Sequence, residues 1–410
     1  MSRILIKFPT RGRHNKFHEV LEKYISMANS IDNIKIIVSV DNDDQPELYN
    51  KIHDCVEIVV GESSGKIGAI NRDIPDPSTF DILLLASDDM IPIVKGYDDI
   101  IRSKMSQYFP DGDGVLFFND GYTYYKLNTL VICGSKYYQR FGYIYCPEYK
   151  SLWCDNEFMD QANLLGRQIY FHETIIKHEH PANNKQTISD SLYNTNESYF
   201  AQDKLVYHSR KIRNYDVSVL ICTVPQRQPM FVELLNRITL LKQSTKLSIE
   251  VIFDDRLNIS VGVKRNSLLS RSNGTYSCFV DDDDKITDDY FKIIEESQLK
   301  YDCIRLNGIL YQYDIKIKPF YHSLKYDKWS QDDNAFYRYP NHLNPMKTSI
   351  AKQISFTDKN HLEDRDFALK LFESKLIKTE YDHEKIQYLY MFTKPFNSPK
   401  KLFGFASKNR

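Results

Sequence analysis

Short apolar runs alternate with amphipathic stretches along the first half of the chain. Residues 4–8 form a β-rich run, and residues 16–28 place Phe17, Val20, Leu21 and Tyr24 at helical spacing. Residues 34–40 are a second apolar run that ends at Asp41, and residues 56–60 are a third. Residues 66–73 read as a short helix. Residues 81–86 carry Ile82-Leu83-Leu84-Leu85, apolar enough for a strand covered on both faces. Strand-like runs alternating with helical ones predict a mainly parallel α/β sheet with helices on both sides.

The pattern then restarts. Residues 217–222 read as a strand, and residues 230–241 as a helix with Leu234, Leu235 and Ile238 on one side. Residues 249–253 form a strand ending at Asp254-Asp255. A helix is expected at residues 263–270, and a strand at residues 276–280 runs into Asp281-Asp282-Asp283-Asp284. Strand, helix, strand to Asp, Gly-Lys helix and strand to an acidic cluster thus occur twice in one order, an internal duplication. Two tandem α/β domains are expected, at residues 1–205 and 216–395. A polar, basic linker lies between them, and a basic tail follows at residues 396–410. Residues 183–198, rich in Asn, Ser and Thr, read as a surface loop or part of the linker.

Length and charge narrow the picture. The chain has 410 residues, which suits two cores of ordinary size. Lys plus Arg number 54 against 55 Asp plus Glu, so no net charge draws the chain toward nucleic acid. No apolar stretch reaches the length of a membrane span. Met1-Ser2-Arg3 enters a strand without a secretory signal. Seven scattered cysteines without a Cys-x-x-Cys suit a reducing compartment, so a cytoplasmic location is expected. In the tail, Lys394, Lys400, Lys401, Lys408 and Arg410 interleave with Phe396, Leu402, Phe403 and Phe405. That pattern allows weak contact with a membrane surface, against the default of a loosely packed end.

The acidic clusters carry the chemistry. In an open parallel sheet, ligands bind beyond the carboxyl ends of the strands. Asp88-Asp89 and the run Asp281 to Asp284 each follow an apolar strand. Carboxylate oxygens there can hold Mg²⁺ or Mn²⁺ and leave positions for a diphosphate. Adjacent carboxylates repel by about 1 kcal/mol per close pair in water, which a divalent cation relieves. A solvated acidic turn is the competing reading.

The second half resembles the family-2 glycosyltransferases, which have the GT-A fold. Asp281 to Asp284 resemble the family's D-x-D-type metal motif. Val261-Gly262-Val263-Lys264-Arg265-Asn266 resembles its Gly-x-x-x-Arg-Asn donor segment. Asp254-Asp255 resemble the carboxylates that contact the base or ribose. His361-Leu362-Glu363-Asp364 resembles the Glu-Asp motif whose Asp is the general base. Asn341 to Lys347 resemble a substrate-pocket segment.

The first half is similar to a related group found in phages and large DNA viruses. Phe8-Pro9-Thr10-Arg11-Gly12-Arg13 is the loop after the first strand, and Asp41 matches the base-contacting carboxylate. Gly65-Lys66-Ile67-Gly68-Ala69-Ile70-Asn71-Arg72 matches the donor-pocket helix. Asp88 and Asp89 match the metal motif, with Ala86 where many members carry a first Asp. Asp155, in Trp153-Cys154-Asp155-Asn156-Glu157, stands where the base is expected. Lys177-His178-Glu179-His180-Pro181 resembles a late histidine that completes the metal shell.

The resemblance implies two tandem GT-A, Rossmann-like domains that use a nucleotide-sugar donor, with UDP foremost, and Mn²⁺ or Mg²⁺. A hexose would pass to a hydroxyl with inversion. Asp155 and Asp364, the latter beside Glu363, would accept the acceptor's proton. Asp89, Asp283 and Asp284 with His178 or His180 would hold metal. Thr10, Arg11, Arg13, Asp41, Lys66, Arg72 and Asp88 would hold the donor in one half. Thr223, Asp254, Asp255, Lys264, Arg265, Asn266, Asp281 and Asp282 would hold it in the other. Lys66, Arg72, Lys264 and Arg265 equally suit an ordinary basic helix face. The acceptor stays open among glycan, protein and modified nucleobase. Trp153 and Trp329 suit either sugar stacking or plain packing. Two other functions compete: a non-catalytic glycan- or nucleotide-binding module, and a sugar-phosphate nucleotidyltransferase. The loop at Thr10 to Arg13 is too glycine-poor for the latter.

Overall fold

The computed structural model describes residues 1–181, 191–211 and 214–392. The chain divides into two compact units, Met1–Arg213 with Leu235–Lys246, and Asn214–Leu234 with Leu247–Arg410.

The first unit begins with β1 (Ile4–Thr10), α1 (His14–Ser26), β2 (Ile34–Asp41), β3 (Val56–Gly61), α2 (Gly65–Asn71) and β4 (Ile82–Leu85). It continues with β5 (Met90–Pro92), α3 (Tyr97–Tyr108), β6 (Val115–Phe118), β7 (Ile132–Gly134), α4 (Ser135–Phe141) and α5 (Cys154–Leu164). β8 (Gln168–Phe171), β9 (Ile176–His178), α6 (Ser191–Glu197) and α7 (Phe200–Arg210) follow. Its main sheet has the order β3-β2-β1-β4-β7-β6-β8. β3, β2, β1 and β4 are mutually parallel, β7 runs antiparallel to both neighbours, and β8 is parallel to β6.

Both faces of this sheet are covered, as the unbroken apolar runs require. Ile4, Ile6 and Phe8 of β1 join Ile36, Val38 and Val40 of β2 in a core closed by Phe17, Val20, Leu21 and Tyr24 of α1. Leu5, Ile37, Leu83 and Leu85 point into a second core with Ile67 and Ile70 of α2, Tyr137 of α4 and Phe158 of α5. Each fully buried aliphatic side chain contributes about 1.5–3 kcal/mol.

Helix α8 (Gln228–Lys242) lies between the two blocks of sequence. Its residues from Leu235 onward belong with the first unit. There Asn236 exchanges two hydrogen bonds with the backbone of Tyr170, each 3.0 Å, and Lys242 Nζ donates to the Asn163 carbonyl at 2.8 Å.

The second unit holds β10 (Tyr215–Cys222), β11 (Ile249–Asp254), α9 (Val261–Arg271), β12 (Gly274–Phe279), β13 (Lys285–Ile286), α10 (Tyr290–Glu296) and β14 (Cys303–Ile304). Then come β15 (Leu306–Gln312), β16 (Ile315–His322), β17 (Ser330–Gln331), β18 (Phe336–Arg338), β19 (Met346–Lys347) and α11 (Thr348–Ala351). The last elements are α12 (Glu363–Ser374), β20 (Glu380–Tyr381) and β21 (Tyr388–Phe392). Its main sheet has the order β11-β10-β12-β19-β14-β20. β11, β10 and β12 are parallel, β19 runs antiparallel to β12 and β14, and β20 is parallel to β14. This is the first unit's order and strand sense, from β2 to β8, repeated strand for strand. The fold is therefore α/β with two Rossmann-like, mainly parallel sheets.

Several expectations change. The antiparallel β7 and β19 and the separate sheet β13-β21-β15-β16-β18-β17 were not anticipated from the apolar runs. The polar segment expected as loop forms α6 over Ser191–Glu197, and residues 182–190 lie outside the described residues. The expected linker begins as helix α7, because Asp203 is buried and accepts the backbone N–H groups of Lys150, Ser151 and Leu152 at 2.8–2.9 Å. The basic tail at residues 396–410 lies outside the described residues. Among the described residues no helix is long and apolar enough to cross a membrane. The seven cysteines are free thiols.

Candidate functional site

In the first unit the carboxyl ends of β1, β2 and β4 open into a cavity of about 800 Å³. Thr10, Arg11, Arg13, Asp41, Lys66, Asp88, Asp89, Asp155, His178 and His180 all line it. Ten residues singled out by sequence therefore converge on one space. Six stretches far apart in sequence supply them: the parallel strand ends at one edge of the sheet bring Thr10 to Arg13, Asp41 and Asp88-Asp89 together, and α2, α5 and β9 add the rest.

The loop after β1 is built on charge. Arg11 Nη1 lies 2.8 Å from Asp41 Oδ2 and 2.5 Å from Asp43 Oδ1. Arg13 Nη1 lies 2.9 Å from Asp88 Oδ1, and its guanidinium stands 3.9 Å over the ring of Tyr193. Gly12 takes φ of +67° between them, and its N–H donates to Asp44 at 2.8 Å. Arg72 does not line the cavity. Its Nη2 lies 3.1 Å from Asp41 and donates to the Val40 carbonyl at 2.7 Å, so it braces the end of β2.

Asp89 and His178 meet through a two-stranded ribbon. β5 pairs antiparallel with β9 in a register that sets Met90 against His178, and Glu179 N–H donates to the Asp89 carbonyl at 2.8 Å. His178 Nε2 is consequently 3.7 Å from Asp89 Oδ1. Tyr193 donates its hydroxyl to Asp89 Oδ2 at 2.9 Å, and the Ser87 hydroxyl donates to Oδ1. Burial opposes ionisation of Asp89, but His178 and the two hydroxyls outweigh it and hold the carboxyl well below its usual range. Burial likewise opposes protonation of His178, yet Asp89 raises it above its ordinary value. Asp88 moves the other way, up to about 6, through burial and then the charge of Asp89, with Arg13 opposing. His180 packs edge-on to His178 at 5.7 Å, and burial followed by the His178 charge pushes it down to about 4.

Asp155 occupies the first turn of α5, where the helix dipole favours a carboxylate. Burial raises its pKa, and Lys66 opposes that shift. Lys66 Nζ donates to the Ser151 carbonyl at 3.2 Å, on the same wall. Tyr193 and Ser87 escaped the sequence reading. Tyr193 sits in the polar stretch read as loop, and no motif marks it.

The second unit repeats the strand ends with different pairing. Arg227 Nη1 lies 2.9 Å from Asp282 Oδ1, and Arg227 also pairs with Asp283. Arg265 Nη2 lies 3.0 Å from Asp281, and its Nε lies 3.3 Å from Glu363. Asp284 accepts the Tyr388 hydroxyl and the Met391 N–H, each at 2.7 Å, which fastens β21. Burial raises the pKa of Asp282 to about 6 and that of Asp284 well above the usual range. Asp254 pairs with Arg256 at 2.6 Å, next to Asp255 at the strand end. Lys264, read as a diphosphate ligand, is buried and donates to the Thr223 carbonyl at 2.8 Å. Asn266, read as a donor contact, uses both amide atoms on the backbone of Phe356, at 2.8 and 2.9 Å. Asp364 stands beside Glu363 in the first turn of α12.

Among the described residues no group of three or more His, Cys, Asp and Glu side chains is gathered to hold a metal ion. In the first unit the residues still suit a divalent cation. Asp89 and His178 offer one oxygen and one nitrogen side by side, a donor set that Mn²⁺ accepts. His178 Nδ1 is buried without a hydrogen-bond partner. In the second unit the fit is poor, because Arg227 already supplies positive charge to Asp282 and Asp283 and Asp284 belongs to the scaffold.

No family model matches the sequence, and no curated protein matches it. Among solved structures the chain is similar to the mannosyltransferase PcManGT from Pyrobaculum calidifontis in complex with GDP-Man and Mn²⁺. That alignment has 12% identity and a TM-score of 0.40, over 59% of this chain and 73% of that one. It is also similar to S. aureus TarS 1–349 in complex with UDP-GlcNAc, at 16% identity and a TM-score of 0.30. That alignment covers 44% of this chain and 59% of the other. TarS 1–349 alone gives 17% identity and a TM-score of 0.29, over 43% and 60%. The chain thus spans about three fifths of the length of these TarS structures.

Proposed function

We propose that the chain is a metal-dependent glycosyltransferase. It moves a hexose from a nucleoside diphosphate, UDP foremost, to a hydroxyl acceptor with inversion, and the first unit carries the transfer. The observation that supports this reading is one cavity lined by Asp89 beside His178, by basic side chains and by the buried carboxylate of Asp155.

In this reading Thr10, Arg11 and Asp41 face the nucleoside at the ends of β1 and β2. Arg13 and Lys66 offset the charge of the diphosphate. Asp89 and His178 would hold Mn²⁺ or Mg²⁺, which when bound neutralises charge on the leaving diphosphate. Asp155 accepts the acceptor's proton. Burial makes Asp155 a stronger base than a free carboxylate, and the nearby Lys66 opposes that shift.

The test is turnover of a panel of nucleotide sugars by the full chain and by Asp155→Asn. Transfer should fall by 10²-fold or more, the order that a positioned base supplies, while nucleotide binding persists. Unchanged transfer removes Asp155 from its role.

For the second unit a different reading has support. Arginines neutralise its acidic cluster, so it serves as a binding unit in which the transfer site has decayed.

A further inference from the structure

We propose that Arg338, backed by the indole of Trp329, is an anion-binding residue of the second unit and takes a phosphate or carboxylate group of a ligand. This goes beyond the transferase reading and does not depend on it.

Arg338 closes β18, and its position is fixed from both sides. β18 runs parallel to β16 with His322 opposite Arg338, and the Arg338 carbonyl accepts the Ser323 N–H at 3.0 Å. The guanidinium lies 4.5 Å from the centre of the Trp329 ring. Trp329 packs on Tyr339 at 5.9 Å, and Tyr339 stacks on Phe372 of α12 at 4.6 Å. A cation is thus held on a platform continuous with the helix that starts at Glu363 and Asp364.

The guanidinium is recessed, yet among the described residues it makes no hydrogen bond or ion pair. Other arginines of this unit do otherwise. Arg265 pairs with Asp281 and Glu363, Arg227 with Asp282 and Asp283, and Arg305 with Asp382 at 2.8 Å. Asp364 and Tyr390 lie within electrostatic reach of Arg338, and its charge also reaches His322. None of them closes on it. Burial pushes the guanidinium below its ordinary pKa, with Tyr390 and Asp364 opposing.

A half-buried cation without an ion-pair partner loses part of its hydration, and an arriving anion offsets that loss. Stacking on an indole engages the face of the guanidinium. Its edge N–H groups remain available, in the planar fork that matches a phosphate or a carboxylate. Two sources carry such a group: the diphosphate of a nucleotide, or the acid group of a sugar or other small ligand.

The experiment uses the chain's two tryptophans. In the full chain carrying Trp153→Phe, Trp329 is the sole indole and reports on the cation stacked against it. Its emission is followed during titration with inorganic phosphate, UDP and glucuronate. The proposal expects a saturable change with at least one of them. Binding should weaken 10-fold or more in Arg338→Gln and by less in Arg338→Lys, with far-ultraviolet circular dichroism unchanged in both. UDP binding far tighter than the other two assigns the group to a nucleotide. Glucuronate or phosphate binding as tightly as UDP assigns it to an acidic ligand other than a nucleotide. No saturable response to any of the three overturns the proposal, and so does equal affinity in Arg338→Gln. Because no transfer is measured, failure of the transferase reading leaves this test intact, and the reverse also holds.

Discussion

Trp153 and Leu362 occupy the same backbone position in the two units. Each has a positive φ, +62° and +66°, and each immediately precedes a helix whose second residue is an aspartate, Asp155 and Asp364. A left-handed residue turns the chain sharply and aims the first helical turn at the strand ends. For a side chain larger than glycine that conformation costs about 1–2 kcal/mol, and such strain collects at functional sites.

The two positions should respond oppositely to glycine. Leu362 is 60% exposed, so Leu362→Gly relieves strain and loses little packing. It should stabilise the second unit by up to about 1 kcal/mol. Trp153 packs on Tyr207 at 5.2 Å and Phe200 at 5.5 Å. Trp153→Gly should therefore destabilise the first unit by about 2–3 kcal/mol, the lost packing exceeding the relieved strain. Urea unfolding of each variant reads the sign.

A second pair of residues clamps the same place in each unit. Asn71 accepts the N–H groups of Ile144 and Tyr145 at 2.9 and 3.1 Å and donates to the Tyr145 carbonyl at 2.6 Å. Asn266 does the equivalent with Phe356. Asn71→Ala and Asn266→Ala each strand buried backbone groups, and each should cost about 1–3 kcal/mol. Gly262→Ala should cost at least as much, since a Cβ there would stand 1.9 Å from the Thr357 carbonyl oxygen. Denaturant midpoints that do not move would remove the clamp from the account.

The acid stability of the second unit depends on His322. His322 is fully buried, and desolvation, then the Arg338 charge, pushes its pKa down to about 3 from the ordinary 6.5. The unfolded chain therefore binds a proton between pH 6.5 and 3 that the folded chain refuses. Stability contributed by neutral His322 is complete above pH 6.5 and is lost as pH falls toward 3, by up to about 1.4 kcal/mol per pH unit. Equilibrium unfolding followed at Trp329 should weaken across that window. His322→Gln should flatten the dependence.

The repeated strand order was legible because apolar runs recur in one order, with Asp41 and Asp254 ending β2 and β11 and with Asp88-Asp89 and Asp281 just beyond β4 and β12. The antiparallel β7 and β19 were not legible. Ile132–Gly134 and Met346–Lys347 are too short to show a period, and hydrogen bonding to their neighbours decides their direction. In the site, residue type and order pointed to the first unit's cavity but not to each role. Arg72, Lys264 and Asn266 share a helix pattern with ligand-binding side chains, yet each finds a partner in a backbone group distant in sequence, and Arg72 in Asp41 as well. Tyr193 reaches Asp89 from a segment 104 residues away, a distance no local pattern records.

In the proposed function Asp89 and His178, rather than the larger acidic run of the second unit, hold the cation for a nucleotide. Calorimetric titration of the full chain with UDP and Mn²⁺ tests it, comparing Asp89→Asn with Asp283→Asn. Asp89→Asn should weaken metal-dependent UDP binding by 10²-fold or more, about 2.7 kcal/mol, while Asp283→Asn should leave it within a factor of two. Binding that survives in Asp89→Asn and disappears in Asp283→Asn would contradict it.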